Sequence, residues 1–130
     1  SKRQYNAKKI DDVCKQFVSL RLVSVPDNLE HAEYKHYVFV NAEYLNNEWN
    51  RDRVVEAINA EGVPCFQGTC SEVYLEKAFD NAEFRPVERL PNAKLLGETS
   101  LMFLVHPTLT KYEIDKTCNA IEKVITKASM

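Results

Sequence analysis

Apolar and polar positions alternate along the chain with periods that divide it into helices and strands. From about Lys2 to Leu20, the apolar residues Ile10, Val13, Cys14, Phe17 and Leu20 keep the i, i+3, i+4 spacing of an amphipathic helix. No capping residue is expected ahead of Lys2, and Val25-Pro26-Asp27-Asn28 breaks the pattern with a turn. Tyr34 to Asn41 is a β-branched and aromatic run too short for a helix. It predicts a strand with Val38 and Val40 on one face, Tyr37 and Phe39 on the other, and cover on both sides. Asn50 is placed to cap a helix whose apolar positions are Val54, Val55 and Ile58 and whose stop is Gly62.

Val63 to Phe66 reads as a short extended piece, followed by an exposed loop from Gln67 to Ser71. Ser71 is expected to cap a helix from Glu72 to Phe79, and Pro91 to open a short helix through Leu96 that Gly97 ends. Ser100 to Val105 is a second apolar strand, closed by His106-Pro107. Thr110 and Glu113 form a capping box. Behind them Ile114, Thr117, Cys118, Ile121, Val124, Ile125 and Ala128 make one apolar stripe. The order predicts an α+β fold, an α/β sandwich with a small, mostly antiparallel sheet of three or four strands packed by helices.

Composition agrees with a folded domain: 45% of the 130 residues are hydrophobic, and only three glycines and five prolines occur. The net charge of −2 gives no general attraction to a polyanion. Residues 1 to 21 are locally basic, with Lys2, Arg3, Lys8, Lys9, Lys15 and Arg21 against Asp11 and Asp12. Without interleaved aromatics that pattern reads as a solvated helix face rather than a nucleic-acid arm. No apolar run is long enough to span a bilayer, and a cytoplasmic location is expected.

Little here points to free-standing chemistry. Cys14, Cys65, Cys70 and Cys118 make no disulfide framework, and His31, His36 and His106 lack the spacing of a zinc site. Cys14 and Cys118 fall on apolar helix faces as core thiols. Ser71 or Ser100 with His106 has no nucleophile elbow around it, and His106 reads as a strand-end residue bonded to backbone. Gly62, Gly68 and Gly97 are too far apart for a phosphate loop. The most site-like stretch runs from Cys65 to Ser71. It sets Gln67, Thr69, Cys70 and Ser71 beside a predicted helix N-terminus able to receive an anion or a sugar hydroxyl, with Tyr74 in the first turn. A plain strand-to-helix connection is the alternative reading.

The segments HAEYKHYVFV (31–40), NRDRVVEAINAEGVPC (50–65), CSEVYLEKAF (70–79) and LPNAKLLGETSLMFLVHPTLTKYEIDKTCNAIEKV (90–124) resemble, in order and spacing, the C-terminal small domain of the DegT/StrS-type sugar aminotransferases. These are pyridoxal-phosphate enzymes of the aspartate-aminotransferase fold. Leu90-Pro91, Ser100-Leu101, His106-Pro107 and Thr110 match features typical of that domain, and KRQYNAKKI resembles the helix leading into it.

The resemblance implies a helix linking from a missing large domain over residues 1–24 and the small domain over 25–130. It implies a parent that aminates nucleotide-linked keto sugars for cell-surface polysaccharide synthesis, with pyridoxal phosphate held by the large domain. That domain would carry the Schiff-base lysine, so no catalytic residue, cofactor or metal is expected within these 130 residues, and the isolated piece is expected to be inactive. The implied partners are the large domain of the same chain, a nucleotide-sugar substrate, an amino-acid donor and a second copy of the parent. Phe66, Gln67, Thr69, Cys70, Ser71 and Tyr74 are the substrate-binding candidates. Where many relatives carry a Pro-x-x-His segment, this sequence has Thr69-Cys70-Ser71-Glu72. A sugar dehydrase of the same family and a free-standing metabolite-binding or regulatory module are the alternatives.

Overall fold

The computed structural model describes residues 1–68, 70–81 and 83–130. Among these residues four α-helices, α1 (Lys2–Cys14), α2 (Arg51–Ala60), α3 (Pro91–Thr99) and α4 (Lys111–Ala128), surround four strands, β1 (Leu20–Leu22), β2 (His36–Val40), β3 (Cys65–Phe66) and β4 (Ser100–Phe103). The sheet order is β1-β2-β4-β3 with every pairing antiparallel, as expected. Val38 lies opposite Leu101, and Phe103 lies between His36 and Cys65.

Side chains alternate across the pleat, so one face carries Val38, Val40, Leu101, Phe103 and Cys65. They merge into a core with Ile10 and Cys14 of α1, Val54 and Ile58 of α2, and Ile121 and Ile125 of α4. The other face carries Tyr37 and Phe39, which are only half-buried, opposite buried Met102 and Ser100. The two-sided cover expected of β2 is therefore complete only on the core face. Central β4 is buried at all four residues.

Thr110 Oγ1 accepts from the Glu113 amide while the Glu113 carboxylate accepts from the Thr110 amide, closing the expected box. Asn50 Oδ1 accepts from the Arg53 amide at 2.8 Å, and Gly62, at φ +73°, follows the end of α2.

Four expectations need correction. The first helix ends at Cys14 instead of Leu20, because Leu20 to Leu22 carries a hidden period of two: Leu20 and Leu22 turn toward the core and pair with Val40 and Val38. It is also capped, since Ser1 Oγ accepts from the Gln4 amide. The helix expected over Glu72 to Phe79 is two 3₁₀ turns, Val73–Leu75 and Lys77–Phe79, with no side-chain cap. Val73 and Leu75 are exposed, so no buried apolar stripe holds a longer helix. Finally, α3 runs through Gly97 to Thr99.

Residues 1–24 pack into the same core. Asn6, buried on α1, donates from Nδ2 to the Val105 and His106 carbonyls beyond β4. His36 at the start of β2 is also buried. Its Nε2 meets Asp11 Oδ1 at 2.9 Å and its Nδ1 meets Glu33 Oε2 at 3.1 Å, while the second Glu33 oxygen meets His31. Only an imidazolium donates from both nitrogens. Burial alone lowers the His36 pKa, but the Asp11 and Glu33 hydrogen bonds outweigh it and the net shift is upward from 6.5.

A raised folded pKa stabilises fully below the unfolded value and loses that stabilisation as pH rises through the folded value. The urea midpoint is accordingly expected to fall as pH climbs above 6.5, and His36→Gln is expected to flatten that fall. Equal slopes in the two proteins would count against the pair.

Candidate functional site

Strand β3 delivers the chain to a bend at Gln67 and Gly68, beneath the end of α3. Gly68 sits at φ +89°, and a Cβ there would lie 2.6 Å from Ser100 Oγ and 3.3 Å from Tyr37 Cε1. The bend thus needs glycine for its backbone and its space. Ser100 Oγ donates to the Gln67 carbonyl at 2.5 Å, and Gln67 Nε2 donates to Asp52 Oδ1 at 2.9 Å.

Beyond the bend, Gln67, Gly68, Cys70, Ser71, Glu72, Leu75, Glu76, Gly97 and Glu98 enclose an open cleft of about 430 Å³. Ser71 faces α3 instead of capping a helix, and a Cβ on Gly97 would lie 2.2 Å from its hydroxyl. Gly97 is therefore a point of close approach, not the expected helix stop.

The far wall is tied by a polar knot. Tyr74 Oη donates to Glu72 Oε1 at 2.8 Å and accepts from the Leu90 amide at 2.8 Å. Arg89 grips both Glu72 oxygens, one through Nε at 2.8 Å and the other through Nη2. That fork, helped by the Tyr74 hydroxyl, holds the Glu72 carboxyl down to about 2. Tyr74 is itself pushed up, by desolvation first and then by Glu72. The phenol is therefore a structural strut, with one hydrogen donated and one accepted.

Of the six candidates, Gln67, Cys70 and Ser71 line the cleft. Tyr74 supports its wall from behind, Phe66 is exposed on β3 opposite Met102, and Thr69 lies outside the described residues. Exposed Cys70 points its thiol at Glu76 Oε1, 3.3 Å away, and that neighbour raises its pKa. Burial pushes Cys14 and Cys65 up to about 12, as befits core thiols, while Cys118 is only partly buried.

Among the described residues no α-helix begins at Ser71 or Glu72, so the anion-binding amides expected there are not assembled. The cleft instead offers hydroxyl, thiol, amide and carboxylate groups, a set suited to the hydroxyls of a polyol. His106 bonds the Thr108 hydroxyl at 2.7 Å and not backbone as expected, while Ser100 is committed to Gln67, so no triad forms. Among the described residues no cluster of metal-ligating side chains occurs, and no helix is long and apolar enough to cross a membrane. Sequence reasoning missed Arg51, Glu72, Arg89 and Gly97. An arginine at the start of α2, against the helix dipole, was the available signal for the first of them.

Known structures place this fold. No protein-family model and no curated protein sequence matches the chain. Among solved structures, an aminotransferase from Psychrobacter cryohalolentis is 50% identical over 98% of this chain and 34% of its own, with a TM-score of 0.93. A DegT/DnrJ/EryC1/StrS aminotransferase from Brucella abortus is 21% identical over 93% of this chain and 30% of its own, with a TM-score of 0.73. The sugar aminotransferase CalS13 from Micromonospora echinospora is 13% identical over 94% and 30%, with a TM-score of 0.76. The chain thus spans about a third of the length of the structures it matches. With its four-stranded antiparallel sheet flanked by helices, it has the small-domain fold of the DegT/StrS-type sugar aminotransferases.

Proposed function

We propose that these residues are the C-terminal small domain of a cytoplasmic, pyridoxal-phosphate-dependent aminotransferase that transfers an amino group from an amino-acid donor to a nucleotide-linked keto sugar for cell-surface polysaccharide synthesis. The observation that carries the reading is the 50% identity to an aminotransferase over nearly the whole chain, spanning only a third of that protein. In this proposal residues 1–24 lead in from a larger domain, residues 25–130 close over its substrate cleft, and the parent works as a homodimer.

The surface supports a missing neighbour. Of seventeen exposed large apolar side chains among the described residues, eight fall within residues 66–96, including Val73, Leu75, Phe84, Val87 and Leu95. Helix α3 buries none of its residues. Apolar exposure concentrated in one segment favours a partner surface over a self-contained module.

The cleft itself does not fit the cofactor. Its described lining carries three glutamates and neither lysine nor arginine, whereas a phosphate calls for cations or free amides. Cofactor chemistry is therefore assigned to the larger domain, and the isolated 130 residues are taken to be inactive. The part left to this chain is to hold the sugar end of the substrate through Gln67, Cys70 and Ser71.

Alkylation of Cys70 in the full-length protein tests that part. A uridine-diphosphate-linked keto hexose is expected to slow labelling of Cys70 several-fold while leaving Cys118 unaffected. Unchanged labelling of Cys70 at saturating sugar would remove the loop from the site.

A further inference from the structure

Arg51 occupies the first turn of α2, where a cation meets the positive end of the helix dipole. Its side chain is nevertheless only 13% exposed. Nη1 donates to the Gly97 carbonyl at 2.8 Å, the Ser100 carbonyl at 3.1 Å and, more weakly, the Gln67 carbonyl at 3.4 Å. These acceptors belong to three separate segments: the bend after β3, helix α3 and the first residue of β4. The other side of the guanidinium is fixed by Asp52, whose Oδ1 accepts from Arg51 Nε at 2.7 Å and from Gln67 Nε2 at 2.9 Å. One guanidinium and its neighbouring carboxylate thus gather both walls of the cleft at its base. The wall residues then meet without slack, Ser71 on Gly97 and Gly68 on Ser100.

We infer that Arg51 is a positioning residue: by clamping the bend at Gln67 and Gly68 to α3 and β4, it fixes where Cys70 and Ser71, just beyond it, stand relative to the ligand. The inference rests on the reading of that loop as ligand-facing. A planar fork with several donors serves three carbonyls and a carboxylate together, which an ammonium on a flexible stem does only in part. Arg51 touches no ligand in this scheme, so its loss should loosen binding more than it slows the chemical step.

The test compares Arg51→Met and Arg51→Lys with the parent in the full-length protein. Hydrogen exchange in peptides covering 67–71 and 97–100 is expected to quicken about tenfold or more in Arg51→Met, with α4 unchanged and Arg51→Lys intermediate. With a uridine-diphosphate-linked keto hexose as acceptor, KM is expected to rise about tenfold in Arg51→Met while kcat stays within about threefold. Unaltered exchange at 67–71, or an equal rise throughout α4, would overturn the clamp. A fall in kcat with KM unmoved would overturn its positioning role. Exchange requires no turnover, so a failed clamp is distinguished from a failed ligand reading, which the Cys70 labelling decides.

Discussion

Gly68→Ala is expected to destabilise the chain by about 2–5 kcal/mol, combining roughly 1–2 for a side chain in the left-handed region with about 1–3 for forced packing. The backbone there stands at φ +89°, and the new Cβ meets Ser100 Oγ, Ser100 Cβ and Tyr37 Cε1 together. Ser100 cannot turn aside freely, because its hydroxyl is bonded to the Gln67 carbonyl. Gly97→Ala makes an instructive contrast. Its clash is with the Ser71 hydroxyl, at 2.2 Å, and a rotation of Ser71 relieves it. The helix meanwhile gains up to about 1 kcal/mol from alanine, so the net stability change should be near zero. Urea midpoints of the two variants decide the point; equal losses would contradict the account of the bend.

Phe103→Ala is expected to cost about 3–5 kcal/mol, the largest loss from any single truncation proposed for this chain. Phe103 is 1% exposed, sits on the strand with neighbours on both sides, and is among the largest fully buried side chains. Removing its ring leaves a cavity in the core that β4 shares with α1, α2 and α4. Tyr112→Ala, on the outer face of α4 with 75% of its surface exposed, should stay within about 0.5 kcal/mol of the parent. A Phe103→Ala loss below that of a surface truncation would mean that the core is not where the sheet register puts it.

Much of this arrangement was legible in the residues. Strands β2 and β4 were visible because their apolar runs are too short for helices, and α2 and α4 because Asn50, Gly62 and the Thr110–Glu113 box mark their ends. The resemblance to the aminotransferase small domain rested on these same segments, and the solved structures bear it out.

The failures at the centre of the fold and the site share a cause, a contact distant in sequence. Leu20 and Leu22 fit a helical stripe as well as a strand until Val40 and Val38 pair with them. Ser71 had the sequence of a helix cap, yet its hydroxyl faces Gly97. Glu72 had the charge for a helix N-terminus, yet it is held by Arg89, seventeen residues on. Gly97 was read as a stop because glycine often ends helices, and the role it has depends on how closely Ser71 approaches. Arg51 was not singled out, because none of the three carbonyls it meets is near it in sequence.

The proposed function is that this chain completes an enzyme that moves an amino group onto a sugar. Its most direct test incubates the full-length protein with an amino-acid donor and a uridine-diphosphate-linked keto hexose and measures both products. The account predicts one 2-oxo acid formed for each aminated sugar. Release of a deoxygenated sugar with no amino transfer, as a dehydrase would give, or stoichiometric capture of a metabolite by the 130-residue chain alone, would contradict it.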